Sequence, residues 1–325
     1  MKKELRLIQM SEVTAEEVRW LWYPYIPLGK LTIIQGDPGE GKTTFSLALI
    51  AALTKGEALP EREVAMPMNV IYQTAEDGLA DTIRPRLDAL GADCSRIMVI
   101  DESNRELTLC DERIKQAIEK IGAKLIVLDP LQAYLGANVD MHRANEVRPV
   151  MKRLAATAEQ TGCAIILVRH INKLQGQKSG HRGLGSIDFQ AAARSVLVVG
   201  RTKDDPTIRV VAQDKSSLAP EGESIAFALD AENGFQWKGY CKCSADDLLG
   251  GGKQVQTKTM QMEDELRRLL TENVAAEEVL KRAEGMGVSE RTLMIAKKNL
   301  GILSEKQGGQ WYWRLPDQGC KDVNV

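Results

Sequence analysis

One stretch constrains this chain more than any other: Gly36-Asp37-Pro38-Gly39-Glu40-Gly41-Lys42-Thr43-Thr44. It satisfies G-x-x-x-x-G-K-[ST]. Leu31-Thr32-Ile33-Ile34-Gln35 precedes it as a β-branched run that reads as a buried strand. Thr43 to Leu53 follows as an apolar helix former. Strand, glycine turn and helix N-terminus together form a nest of backbone N–H groups aimed at an anion. Gly36, Gly39 and Gly41 admit backbone angles closed to other residues. Lys42 is expected to reach the β- and γ-phosphates, and the Thr43 hydroxyl to ligate Mg²⁺. A chance glycine turn beside a lysine is the alternative, and the flanking strand and helix argue against it. The stretch predicts a site for ATP with Mg²⁺.

At 325 residues the chain has room for one large domain and a small one. The net charge of −2 excludes a global attraction to nucleic acid, so polyanion binding must come from local basic clusters. Met1-Lys2-Lys3-Glu4-Leu5-Arg6 leads into no signal-type apolar run, and no stretch approaches membrane-spanning length. No membrane partner is expected. The six cysteines contain no C-x-x-C pair, and Cys241 with Cys243 lacks the spacing of a zinc knuckle. Reduced thiols in a cytoplasmic protein fit this pattern.

Along the chain, Thr14 and Glu17 have capping-box spacing and predict a short helix ending near Trp22, stopped by Pro24 and Pro27. Trp20, Trp22, Tyr23 and Tyr25 either cover one edge of the core or stack on a base. Strand-like runs follow at Asn69–Gln73, Arg96–Ile100, Leu125–Asp129, Ala164–Arg169 and Ser195–Gly200. Helical patterns fall at Leu79–Leu90, Glu112–Ile121, Asn145–Thr161 and Ile187–Ala193. This alternation predicts an α/β fold with a mainly parallel sheet covered on both faces. Thr207–Ala212 and Ser224–Leu229 extend it in antiparallel fashion. Residues 1–243 form the expected core domain. Ser244–Met262, with Gly250-Gly251-Gly252, reads as a flexible linker. Residues 263–316 carry helix, helix, turn, helix and strand, the order of a winged helix-turn-helix, and 317–325 form a tail. On its third helix, capped by Ser289, Arg291, Lys297 and Lys298 are placed to reach DNA; such units also dock proteins.

The chemistry rests on two further segments. Leu125-Ile126-Val127-Leu128-Asp129 is an apolar strand ending in a carboxylate, and Asp129 is expected on the Mg²⁺ side of the site. Pro130 follows it, so the water-activating carboxylate must come from elsewhere. Glu76, in Thr74-Ala75-Glu76-Asp77, is the leading candidate if its strand neighbours the phosphate-loop strand. Asp77 is the fallback, and a pair of solvated loop acids is the plain alternative.

The loop Gly36–Thr44, the Thr74–Asp77 segment, Leu125–Asp129 and the strand ending at Arg169-His170 resemble the RecA-like ATPases. Within these they are most similar to the hexameric RepA-type replicative helicases, with DnaB-type helicases and RadA more distant. The resemblance spans roughly Trp20 to Gly239. It implies Glu76 as base, Asp129 as magnesium-side carboxylate, and His170 as a sensor of the γ-phosphate.

In such rings the loop after the sensor lines the central channel. Here Ile171–Gly185 is long, glycine-rich and basic, so Lys173, Lys178 and Arg182 are expected to contact single-stranded DNA; a plain surface loop is the alternative. Arginine fingers act between subunits in this family. Arg194 and Lys215 are the leading candidates, with Arg209 behind them, although Gln213-Asp214-Lys215-Ser216-Ser217 lacks the family's arginine. The resemblance therefore implies a DNA-dependent ATPase working as a homo-oligomeric ring, a replicative helicase with an initiation or primase partner at its C-terminal domain. A recombination or repair ATPase, or a non-motor ATP-switched DNA-binding protein, stands as the alternative.

Overall fold

The computed structural model describes residues 7–60, 62–171, 188–202, 205, 207–230, 234–249, 258–270 and 273–316. It divides the chain into two compact units, Met1–Gly252 and Lys253–Val325.

The first unit opens with β1 (Trp20–Trp22) and β2 (Ile26–Pro27), then β3 (Leu31–Gly36), α1 (Lys42–Lys55) and β4 (Val70–Thr74). It continues through α2 (Arg84–Ala89), β5 (Ile97–Met98), α3 (Glu112–Ile121), β6 (Leu125–Asp129), α4 (Ala144–Thr161) and β7 (Ala164–His170). α5 (Asp188–Ala192), β8 (Ser195–Arg201), β9 (Ile208–Ser216), β10 (Ser224–Asp230), β11 (Gly234–Cys241) and α6 (Ala245–Leu248) complete it. Among the described residues the main sheet runs β11-β10-β9-β8-β3-β7-β6-β4-β5. β8 to β5 are mutually parallel, and β9, β10 and β11 add antiparallel strands at one side.

β3, β6 and β7 are buried over nearly their whole length because both of their faces are covered. One face packs against α1 and α2 through Ile34, Phe45, Leu49, Tyr72, Val127 and Ile166. The other packs against α3 and α4 through Ile33, Ile114, Ile118, Ile126, Leu154 and Leu167. α3 follows from its sequence directly. Asp111 caps it by accepting the Arg113 N–H, Ile114 and Ile118 face inward, and Gly122 ends it at a positive φ of 63°.

The helix expected at residues 14–22 is absent. A single 3₁₀ turn at Met10–Glu12 is followed by β1, paired antiparallel with β2. The capping signal is local and weak. Against it stands the burial of Trp22 and Tyr25 with Phe45 and Trp237, which needs an extended backbone here. Those two aromatics are therefore core residues, whereas Tyr23 is half exposed. The sequence pattern also missed β11, whose Phe235 and Trp237 alternate onto the same cluster.

Within the segment read as a linker, two stretches are helical. Ser244 and Asp247 form a capping box for α6, and Ala245 and Leu248 pack onto Val198, Val210 and Ala212. The second unit begins within the same segment, with α7 at Lys258–Leu269. It continues as β12 (Val274–Ala275), α8 (Ala276–Gly285), α9 (Glu290–Asn299), β13 (Leu303–Gln307) and β14 (Gln310–Arg314). Its three strands order β12-β14-β13 and are antiparallel. Met262, Leu266, Val279, Leu293, Ile302 and Trp313 form its separate core. No described helix is long and apolar enough to cross a membrane.

Candidate functional site

The phosphate loop leaves β3 at Gly36, which lies so close to β8 that an added Cβ would sit 2.1 Å from the Val199 carbonyl oxygen. Only glycine fits there. Gly41, at φ 92°, turns the chain into α1 without a side-chain cap, so the helix opens onto the loop with its first N–H groups directed at the loop. Lys42 is buried, and its ammonium donates to the carbonyls of Gly36 at 2.9 Å and Asp37 at 2.8 Å. Burial lowers its pKa, and Asp129, Asp37 and Glu40 oppose that shift.

Asp129 ends β6 in the register of Thr74 on β4. Its Oδ2 accepts the Thr43 hydroxyl at 2.8 Å and the Tyr72 hydroxyl at 3.3 Å. Burial raises the Asp129 pKa, while those two hydroxyls and Lys42 pull it down. A threonine hydroxyl and a carboxylate beside an anion loop are the hard oxygen donors that Mg²⁺ takes, so the residues present fit that ion. Among the described residues no group of three or more His, Cys, Asp or Glu is placed to hold a metal.

Glu76 does not come from a strand beside β3. β3 is flanked by β7 and β8, and both β7 and β6 stand between it and β4. The carboxylate reaches the site differently. After β4 the chain folds back across the end of β6, where the Ala75 N–H donates to the Asp129 carbonyl at 3.2 Å. This brings Glu76 Oε2 to 3.9 Å from Nε2 of His170 at the end of β7. His170 in turn pairs with Gly36 across the β3–β7 ladder. Burial, and then the neighbouring Lys42, lower the His170 pKa, with Glu76 opposing. Asp77 instead pairs with Arg86 at 3.2 Å, so the fallback carboxylate is engaged on the surface.

Lys173, Lys178 and Arg182 lie outside the described residues. Arg194 and Lys215 lie at the opposite edge of the sheet. Ser195 pairs with Thr32 and Lys215 with Val196, both at the ends of strands remote from the loop. The Lys215 ammonium donates to the carbonyls of Gln190 and Ala193 at 2.8 Å each, holding the end of α5.

Sequence reasoning missed two groups. Tyr72 is one. Arg201 is the other: its backbone N–H donates to Glu40 Oε2, its guanidinium donates to the Gly39 carbonyl, and Arg209 packs beside Gly41. The signal for Tyr72 was a phenol hydroxyl two residues before the end of a short buried strand; for Arg201 there was none, because its contact depends on strand order.

With this geometry in place, the comparisons are specific. Residues 3–176, just over half the chain, match the AAA_25 family, described as an AAA domain. The chain belongs to this family. Relatives of this AAA-domain protein include the DNA repair protein RadA of Halalkalibacterium halodurans, 29% identical over 154 residues, which is 47% of this chain and 30% of that protein. RadA of Bacillus subtilis is 27% identical over 156 residues, and RadA of Brucella abortus 29% over 160, covering 30% and 31% of those proteins and 47% of this chain. The match thus spans about a third of the length of these relatives. Among solved structures, the KaiC-like protein PH0186 of Pyrococcus horikoshii OT3 superposes with a TM-score of 0.50 at 20% identity. It covers 68% of this chain and 99% of its own, and shows the fold. The AAA-domain protein is a RecA-like P-loop ATPase related to RadA.

Proposed function

We propose that this chain is a DNA-dependent ATPase of replicative-helicase type, akin to RepA, that moves along single-stranded DNA as a homo-oligomeric ring, a hexamer. One observation carries the reading: Lys42, the Thr43–Asp129 pair and the Glu76–His170 pair meet at one edge of the sheet. Glu76 takes a proton from water as the water oxygen attacks the γ-phosphorus in line with the departing β,γ-bridging oxygen, releasing ADP and phosphate. Lys42 and the loop N–H groups stabilise the charge that develops. Thr43 and Asp129 hold Mg²⁺, which when bound neutralises part of the phosphoryl charge. His170 leads directly into the segment bearing Lys173, Lys178 and Arg182, so nucleotide occupancy is transmitted to DNA along that connection. Arg194 and Lys215, far from their own phosphate loop, act on the nucleotide of a neighbouring subunit.

The RadA relatives favour a second reading, a repair or recombination ATPase that assembles on DNA without opening it. For the second unit we propose protein docking, with a replication-initiation protein or primase as the partner, and a winged-helix identity for its fold. α9 exposes Met294 and Ile295, where a base-reading helix carries polar side chains. Lys297 is also turned away onto the Trp313 ring at 3.9 Å and the Ser304 hydroxyl at 2.6 Å, and the Arg291 side chain lies outside the described residues.

The test is a forked-duplex assay on the full chain. ATP-driven strand displacement that disappears in Lys42→Ala supports the helicase. DNA-stimulated hydrolysis without displacement favours the repair reading. Unchanged hydrolysis by Lys42→Ala removes the site.

A further inference from the structure

Tyr72 is a buried tyrosine on β4, the last strand but one on the parallel side of the sheet, on the face covered by α1. A phenol hydroxyl in such surroundings must find a partner or forfeit its hydration. The strand register decides which partner it finds. Tyr72 pairs with Val127, and Thr74 pairs with Asp129, so Tyr72 and Asp129 are diagonal neighbours across the β4–β6 ladder. Val127 belongs to the α1-side cluster and Leu128 to the opposite one, which puts Asp129 on the same face as Tyr72. A diagonal separation of roughly 7–8 Å is within reach of a long aromatic side chain. The hydroxyl accordingly meets Asp129 Oδ2 at 3.3 Å.

The same oxygen accepts Thr43 Oγ1 at 2.8 Å. Two donors from different elements, one from the first turn of α1 and one from β4, therefore converge on a single carboxylate oxygen. One donor alone leaves a carboxylate free to rotate about its terminal torsion, whose energy wells are broad. Two donors fixed in space remove that freedom. Thr43 is itself one of the donors assigned to the metal, so Tyr72 is the partner that stays attached to Asp129 when Thr43 ligates.

We propose that Tyr72 is a positioning residue for the divalent cation: its hydroxyl sets the orientation of Asp129 and thereby the affinity of the Thr43–Asp129 pair for Mg²⁺. The inference rests on the nucleotide-site reading above and extends it to a residue outside the recognised motifs. Partners of this kind behind a ligating side chain are worth about 10–100-fold in metal affinity. Their effect appears in metal binding rather than in turnover at saturating metal.

The experiment compares the full chain with Tyr72→Phe, titrating Mn²⁺ in the presence of ADP and reading free Mn²⁺ by electron paramagnetic resonance. The expected result is an affinity for Mn²⁺ lowered about tenfold, with far-UV circular dichroism unchanged. Half-saturation of ATP hydrolysis by Mg²⁺ shifts upward by a similar factor, while the rate at saturating Mg²⁺ changes about twofold or less. Two further side chains at position 72 separate orientation from packing. p-Aminophenylalanine retains a donor and restores the affinity, whereas p-methylphenylalanine fills the same volume without one and does not. This pair also decides the question should Tyr72→Phe fail to fold. Equal Mn²⁺ binding by the two, or by Tyr72→Phe and the parent, overturns the inference while leaving the site intact. A parent chain that binds no Mn²⁺ with ADP overturns the site reading and this inference together.

Discussion

Arg201 holds Glu40 from two directions: its backbone N–H donates to Glu40 Oε2 at 2.7 Å, and its guanidinium nitrogen lies 3.5 Å from the same oxygen. The same guanidinium donates to the Gly39 carbonyl at 2.9 Å. The end of β8 is thereby tied to the phosphate loop at Gly39 and Glu40.

That tie has a kinetic signature. Arg201→Ala is expected to raise the KM for ATP about threefold to tenfold with little change in kcat, because a charge-assisted hydrogen bond at a partly exposed position is worth about 1 kcal/mol. Glu40→Gln should do the same, and the double variant no worse than either. Steady-state kinetics on the three variants measures this, and additive effects would show that the two residues act independently.

Removing the carboxylate of Glu76 addresses the chemical step alone. Glu76→Gln should lower kcat by roughly 10²–10⁴, the usual contribution of a general base. Binding of a fluorescent ATP analogue should stay within about twofold, since Glu76 is exposed and its side chain approaches His170 rather than capping the loop. Hydrolysis within threefold or so of the parent would remove Glu76 from that role.

The His170 side chain predicts a pH dependence. Burial, then Lys42, lower its pKa from the usual 6.5, so the folded chain gives up this proton more readily than the unfolded one. Stability should therefore fall as pH drops below about 6.5 and level off only once the folded imidazole itself is protonated. Urea midpoints between pH 5 and 8, about 1.5 units either side of this value, are expected to slope less for His170→Gln. Parallel slopes in the two proteins would refute the assignment.

A purely structural prediction concerns Asp111. It caps α3 and takes hydrogen bonds from Arg113 at 2.9 Å and Arg105 at 2.6 Å, which hold its carboxyl far below the usual range. Its stabilisation is present above the unfolded value near 3.8 and is lost as pH falls below it. Asp111→Ala should cost about 2 kcal/mol at neutral pH, seen as a lowered melting temperature with ATP binding retained.

How much of this was legible beforehand depended on whether the signal was local. The phosphate loop, β6 with Asp129, α3 over Glu112–Ile121, and Ser289 capping α9 are written in contiguous residues, and each is where the sequence puts it. Strand order is not local. Nothing in residues 69–77 reveals that two strands separate β4 from β3, or that the route to the site runs over β6. Tyr72 and Arg201 escaped notice for the same reason, since their partners lie 57 and 161 positions away in sequence. At residues 14–22 a local signal was present and lost, because the β1–β2 hairpin buries the Trp22 indole completely in the core.

The hydrogen bond from the Ala75 amide to the Asp129 carbonyl fastens the segment carrying one acid to the peptide that carries the other. The separation of the two Cα atoms is thus set by the backbone, and only the side-chain torsions of the two acids adjust the carboxylates upon it. With that anchor in place, Glu76→Asp is expected to draw the carboxylate back from its 3.9 Å approach to His170 by about one methylene's reach.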